Sequence, residues 1–200
     1  MIATLYDVHG NLAALEAVLA EVPGDATIVV GGDVCFAGSQ PAEALERLRG
    51  LGERVVWVRG NTDRTLTATD ATGSRLTEEQ LAFLHGLPPT ARIDRVMYCH
   101  ATPRNDVDVF TELTPEERIE SLFEDVDADV IVCGHTHMQF ERTIAGKRVI
   151  NSGSVGAPYE NEPGAYWTLD LVHRFTPYAG APAPQRSRAD VLAEYTRIGL

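Results

Sequence analysis

Lysine is nearly missing from this chain: Lys147 is the only one among 17 basic residues, against 29 acidic ones, leaving a net charge of -12. That balance opposes sequence-independent binding to a nucleic-acid backbone, and no basic stripe or nucleic-acid-binding module is present. With Ala, Gly and Val abundant, the arginine bias reads as base composition, so arginine number alone marks no phosphate clamps. Cysteine is scarce too. Cys35, Cys99 and Cys133 are too few for a disulfide framework, and Cys99 and Cys133 close apolar runs, which suggests buried reduced thiols in a cytoplasmic protein. No apolar run approaches the length that spans a bilayer. The N-terminus is strand-like and lacks a basic segment followed by an apolar one, so neither secretion nor a membrane is expected. Internal repeats and low-complexity tracts are absent. What is left, with 44% hydrophobic and 23% charged residues over 200 positions, is an ordinary globular composition and a single domain.

The first half alternates apolar runs with helical patterns, as a layered α/β fold requires. Leu12, Leu15, Val18, Leu19 and Val22 cover one face of a helix. Pro41 opens a second helix through Ala44, Leu45 and Leu48 to a stop at Gly50. Thr77-Glu78-Glu79-Gln80 is a capping-box pattern for a short helix through Leu84. Thr114-Pro115-Glu116-Glu117 predicts another, burying Ile119, Leu122 and Phe123. The polar, Thr-rich stretch 62–76 reads as a loop or irregular lid. In the second half, 139–151 and 164–178 read as two hairpins, the first turning at Ala145-Gly146. Residues 179–185 form a Pro/Ala/Gly linker to a helix over 188–198, so the domain core is about 1–178. A parallel first half with antiparallel closing strands implies two packed mixed sheets flanked by helices.

Five apolar runs each deliver a residue type that binds divalent metal. Ile2–Tyr6 leads to Asp7-Val8-His9; Thr27–Val30 leads through two glycines to Asp33; Val55–Val58 leads to Gly60-Asn61; Val96–Cys99 stops at His100; Val130–Cys133 opens into Gly134-His135-Thr136-His137. Open α/β sheets place sites beyond the carboxyl ends of their strands, so these scattered residues can converge. Singly, each block is ordinary: Asp33 could end a strand, His100 could be interior, Asn61 could be a turn residue. Two imidazoles at i, i+2 behind a strand are harder to explain by packing. His85 and His173 fall outside the blocks and read as surface or packing residues.

The ordered set DxH, GD, GN, H, GHxH resembles the calcineurin-like metallophosphoesterases, over about Asp7 to Asp170. The resemblance implies an αββα sandwich and a phosphoesterase, a phosphodiesterase above all, using a hydroxide between two divalent ions for in-line attack on phosphorus. It implies that Asp7, His9, Asp33 and His137 hold the first ion and Asp33, Asn61, His100 and His135 the second, with Asp33 bridging; Asp33, Asn61 and His100 are then the catalytic candidates. Manganese is the first choice, with Fe, Ni, Zn, Co or Mg compatible with the donor set. Such ions would make the local field positive despite the acidic chain, admitting a small phosphoester substrate. Asn11, at the start of the first helix, and Arg104 are substrate-contact candidates, with Tyr159 and Asn105 as guesses for the pocket wall, and Asp63 is a candidate to orient a ligand. Asn151-Ser152-Gly153-Ser154-Val155-Gly156 resembles the glycine-containing loop of the small bacterial phosphodiesterase branch, with Ser152 in place of Pro.

One position departs. Many members carry His after the Gly-Asn pair, credited with protonating the leaving oxygen; here it is Thr62. A threonine hydroxyl is no general acid at neutral pH, and such a donor contributes about 10²–10⁴-fold. The same loss accompanies phosphodiesterase activity in the small bacterial branch and a binding role in a retromer subunit of this fold. The alternative is therefore a weak or inactive scaffold that binds a protein partner. Homo-oligomerisation is left open.

Overall fold

The computed structural model describes residues 1–67, 76–183 and 186–200. The first sheet contains β1 (Ile2–Leu5), β2 (Thr27–Val30) and β3 (Val55–Trp57). The second contains β4 (Thr90–Ile93), β5 (Val96–Cys99), β6 (Val130–Cys133), β7 (Gln139–Ile144) and β8 (Lys147–Ser152). β9 (Ala165–Leu169) and β10 (Val172–Thr176) return to the first sheet. The orders are β10-β9-β1-β2-β3 and β4-β5-β6-β8-β7. β1, β2 and β3 are mutually parallel, as are β5, β6 and β8, while β4, β7, β9 and β10 pair antiparallel. This is an αββα sandwich of two mixed sheets.

Strand side chains alternate in direction, and the central strands β2 and β6 are covered on both faces, so they are almost continuously apolar, while the outer strands β4, β7 and β10 keep exposed polar residues. In β2, Ile28 and Val30 face the helices while Val29 faces the other sheet; in β6, Ile131 and Cys133 face outward and Val132 inward. The inner layer is Tyr6, Val29, Val58, Tyr98 and Val132. Tyr6 runs across it and donates its hydroxyl to the Val132 carbonyl at 2.9 Å, satisfying a phenol that burial would otherwise penalise.

Helices α1 (Leu12–Glu21), α2 (Pro41–Arg49) and α4 (Glu78–His85) pack on the first sheet through Leu15, Val18, Leu45, Leu48 and Leu84. The Thr77 capping box forms, with Gln80 Oε1 accepting from Thr77 N at 2.9 Å and Thr77 Oγ1 accepting from Gln80 N at 3.2 Å. A single short helix, α3 (Asn61–Thr65), occupies the start of the stretch read as a loop, and residues 68–75 of that stretch lie outside the described residues. Both hairpins are present, each turning through two positive-φ residues, Ala145-Gly146 and Asp170-Leu171.

Two expectations fail. β4 has no strong sequence signature: Thr90-Ala91-Arg92-Ile93 is a half-exposed edge strand, and it forms because β5 offers it a partner. The helix expected after Thr114 is a pair of 3₁₀ turns, Glu116–Arg118 and Glu120–Leu122. Thr114 Oγ1 accepts from Thr111 N at 2.9 Å instead of capping a helix, and Arg142 takes up the carbonyls of Thr111 and Thr114. Ile119 and Phe123 are still buried, so the apolar spacing was right and the helix type wrong. The final helix α5 (Arg188–Ile198) starts at a Ser187 cap and is held by Arg188 to Glu112 and Glu160. Among the described residues, no helix is long and apolar enough to cross a membrane.

Candidate metal centre

Each ligand-type residue sits where a parallel strand has just ended. Asp7 and His9 follow β1, Asp33 follows β2, Asn61 follows β3, His100 follows β5, and His135 and His137 follow β6. To aim inward there, the backbone leaves the extended region. Asp7, His9, Asp33, His135 and His137 all have φ between 50° and 67°. A non-glycine residue held in that region costs about 1–3 kcal/mol and persists where the surroundings impose it, commonly at a functional site.

The imposing contacts are visible. Asp63 is fully buried and its carboxylate accepts from Asp33 N at 2.7 Å, Val34 N at 3.0 Å and Gly60 N at 2.9 Å, locking the loops after β2 and β3 together. Burial, then the nearby Asp33 carboxylate, pushes its pKa up to about 6, against those three N–H donors. Gly60 is required at this junction: a Cβ there would lie 2.1 Å from Asp33 Oδ1. On the other side, Ser154 Oγ donates to the Asp7 carbonyl at 2.8 Å, Gly156 N to the same carbonyl at 3.0 Å, and Tyr159 N to the His137 carbonyl at 3.0 Å. Asn151 Nδ2 reaches Gly134 O at 2.7 Å and Thr136 Oγ1 at 3.0 Å. The loop 151–159 thus ties the Asp7 turn to the His137 turn. A Cβ on Gly156 would sit 1.9 Å from Val8 O, in keeping with the close approach expected of its glycines.

Three of the four imidazoles are held from behind. His9 Nδ1 meets Phe36 O at 3.0 Å, His100 Nδ1 meets Gly31 O at 2.9 Å, and His137 Nδ1 meets Ala157 O at 2.6 Å. A carbonyl only accepts, so these ring nitrogens carry the protons. The forward Nε2 atoms of His9 and His137 then stand 3.1 Å apart, lone pair toward lone pair unless positive charge lies between them. The carboxylates divide their oxygens in the same way. Asp7 Oδ2 accepts from His135 N at 2.9 Å and Asp33 Oδ1 from Thr62 N at 2.9 Å, leaving one oxygen of each pointing inward. Asp7 Oδ1 is buried without a hydrogen-bond partner. It lies 3.4 Å from His137 Nε2, 3.7 Å from His9 Nε2 and 3.9 Å from His100 Nε2.

The donor set fits divalent cations: buried oxygens and imidazole nitrogens converging with no positive group of their own. Two candidate ligand groups emerge among the described residues, Asp7 with His9 and His137, and Asp7 with Asp33 and His100. Asp7 is their shared member, where sequence pointed to Asp33. Asp33 Oδ2 nevertheless lies between the halves, 4.0 Å from His9 Nε2 and 3.6 Å from His100 Nε2. Asn61 Oδ1 joins through His100 Nε2 at 3.0 Å, and His135 packs on His100 with ring centroids 5.1 Å apart. All seven residues form one cluster.

A model of the calcineurin-like phosphoesterase superfamily domain matches residues 1–174. The chain belongs to that superfamily. Within it, the chain is 29% identical over 174 residues to the phosphodiesterase YfcE of Escherichia coli K12, covering 82% of this chain and 84% of that protein. It is 28% identical over 193 residues to an uncharacterised protein of Methanocaldococcus jannaschii, covering 79% and 77%. A metallophosphoesterase structure from Sphaerobacter thermophilus superposes with a TM-score of 0.75 at 24% identity, covering 97% of this chain and 98% of that one.

The electrostatics of the phosphoesterase site follow from burial opposed by proximity. Burial favours the neutral acid at Asp7, but His137, His100 and His9 outweigh it and hold the carboxyl below its ordinary range. Burial, then the neighbouring His137, brings His9 down to about 4; burial, then His100, brings His135 to about 4. Burial also opposes charge on His100 and His137, yet Asp33 and Asp7 hold His100 up and Asp7 holds His137 up. Asp33 is raised, chiefly by burial. The carboxylates call for positive charge at the centre.

The other candidates are distributed unevenly. Asn11 caps α1, accepting from Ala14 N at 3.1 Å, while its Nδ2 donates to Gly156 O at 3.0 Å and Tyr178 Oη at 2.9 Å; its side chain shapes the pocket wall. Arg104 binds Asp108 through two nitrogens, at 3.0 and 2.7 Å, and is turned to its own loop. Asn105 Oδ1 accepts from Val107 N and Asp108 N, shaping the same loop. Tyr159 stacks on His137 with centroids 5.1 Å apart and planes 20° from parallel and lines a cavity beside the cluster. Sequence missed the carbonyls of Phe36, Gly31 and Ala157; any residue can supply a carbonyl, so no side-chain pattern marks them.

Proposed function

We propose that this phosphoesterase-superfamily chain is a metal-dependent phosphodiesterase holding two divalent ions, manganese first among them, in the seven-residue cluster. The observation that carries this is the pair of imidazole nitrogens from His9 and His137 at 3.1 Å beside the partnerless Asp7 Oδ1, an arrangement that a cation relieves. Bound there, divalent ions would supply Lewis acidity to a phosphoryl oxygen and acidify a water. Asp7, His9 and His137 would hold one ion and Asn61, His100 and His135 the other, with Asp33 reaching both. Asn61 contributes a carbonyl that adds no negative charge where a charged transition state forms.

The chain's own part is orientation and selection. Asp63 fixes the Asp33 and Gly60 backbones, and the carbonyls behind the imidazoles set which nitrogen faces the reaction. Thr62 donates its backbone N–H to Asp33 Oδ1, and its buried hydroxyl lies beside the same carboxylate. With no acid there to protonate a departing alkoxide, the site favours aryl or nucleoside diesters over unactivated alkyl monoesters. Residues 1–178 are read as the body of one domain, with 179–200 a linker and helix held against it.

The test is hydrolysis of bis(p-nitrophenyl) phosphate and of an alkyl monophosphate by chelator-stripped protein, before and after Mn²⁺, with His135→Ala alongside. Metal-dependent turnover of the diester, lost in the variant and weak on the monoester, is expected. Absence of turnover with any divalent ion would overturn the reading and favour a binding scaffold.

A further inference from the structure

A cavity of about 430 Å³ opens beside the ligand cluster, with His9 in its wall. Its lining differs in chemistry from the cluster. Tyr159 stacks on His137 and carries the wall outward; Tyr178, Pro158 and Pro163 continue it. No lysine or arginine lines it among the described residues, and Glu162 is its only carboxylate. Its walls are fixed in advance. Tyr178 Oη accepts from Asn11 Nδ2 at 2.9 Å, and Tyr159 meets Tyr195 of α5 edge-on at 6.2 Å.

We propose that this cavity is a subsite for an uncharged, planar aromatic group of the ester, a nucleobase or an aryl ring. The inference rests on the phosphoesterase reading and extends it to the substrate's organic part. Three properties lead here. The cavity starts at His9 of the ligand cluster and at Tyr159, which stacks on His137, within reach of a group joined to a phosphate held there. Its volume lies in the range of small-molecule sites, which are mostly apolar with a few placed polar groups. The charge of its own lining disfavours the alternative occupant: a second phosphate in the body of the cavity would meet Glu162 and, among the described lining residues, no lysine or arginine, a costly pairing of like charges. A base carrying an exocyclic amino group would instead donate to the Glu162 carboxylate while its ring contacts the tyrosines and prolines.

Binding of uncharged probes to the full chain loaded with diamagnetic Mg²⁺ tests this by NMR, independently of turnover. Adenosine, benzyl alcohol and ribose are titrated, and the amides of Gly38, Tyr159 and Gly164 are followed. Saturable shifts from an aromatic probe, none from ribose, and loss of those shifts in Ser39→Trp, which fills the cavity, are expected. Glu162→Ala should weaken adenosine roughly tenfold, as loss of a hydrogen bond to a charged group does, and leave benzyl alcohol unchanged. Binding by adenosine alone assigns a nucleobase; binding by benzyl alcohol with no effect of Glu162→Ala assigns an aryl ring. Failure of both aromatics to shift these amides, or equal shifts from ribose, overturns the subsite. Absent turnover with aromatic binding intact would count against the phosphoesterase reading and leave the subsite standing.

Discussion

The two halves of the ligand cluster are built differently. Around Asp7, His9 and His137, the support is backbone: carbonyls of Phe36 and Ala157 behind the rings, and the glycine-containing loop after β8 pressed on Val8. This half opens onto the cavity lined by tyrosines, prolines and Glu162. Around Asp33, Asn61 and His100, the Gly31 carbonyl again stands behind the imidazole, but the turns themselves are locked by one buried carboxylate, Asp63, accepting three N–H bonds. Arg59, Arg64 and Arg104 line a recess formed by the neighbouring segments, but Arg64 is bound to Asp106 and Arg104 to Asp108. The comparison teaches that a positive side chain near the cluster need not be available to an incoming anion, and that left-handed turns can be held by the donors of a neighbouring loop or by a buried carboxylate.

Asp33→Asn acts on both halves at once and should have the largest effect. Partners that merely orient a ligand cost 10–100-fold, so loss of a ligand reaching both halves should lower metal-dependent turnover by more than about 100-fold. Steady-state kinetics with metal titration measures it; retained turnover and occupancy would remove Asp33 from its shared position. Asp63→Asn attacks only the second half. Metal affinity there should fall about 10–100-fold while the His9 and His137 half keeps its ion, which calorimetric titration would resolve as two separated affinities. Equal weakening of both ions would erase the distinction between the halves. Gly156→Ala attacks only the first half, where the new methyl has no room beside Val8 O, and overpacking of this kind costs about 1–3 kcal/mol. Chemical denaturation should show that loss, and an unchanged midpoint would mean the loop yields easily. Smallest is Tyr178→Phe, which deletes the bond from Asn11 and should cost about 1 kcal/mol with turnover of small diesters preserved. A large loss of turnover would place Tyr178 closer to the chemistry than the cavity wall.

The strands and the residues that gather at their ends were legible because their signals are local and strong. Val96–Cys99 and Val130–Cys133 are continuously apolar since both faces of the second sheet are buried, and each ends at its ligand block. The turn at Ala145-Gly146 was readable for a similar reason. Less of the support was legible. The carbonyls of Phe36 and Ala157 orient imidazoles through the backbone, whatever side chain they carry. The capping box at Thr77 and its look-alike at Thr114 differ only in tertiary competition: Thr111 N claims the Thr114 hydroxyl. Edge strand β4 exists through its neighbour. Arg104 looked available because Asp108, four residues on, gave no sign of claiming it.

The most direct measurement is the anomalous scattering of Mn²⁺-soaked crystals of the unmodified chain. Two peaks are expected, one among Asp7, His9 and His137 and one among Asn61, His100 and His135, with Asp33 within ligand distance of both. A single peak, or none, with Asp7 Oδ1 still lacking a partner, would contradict a two-ion centre.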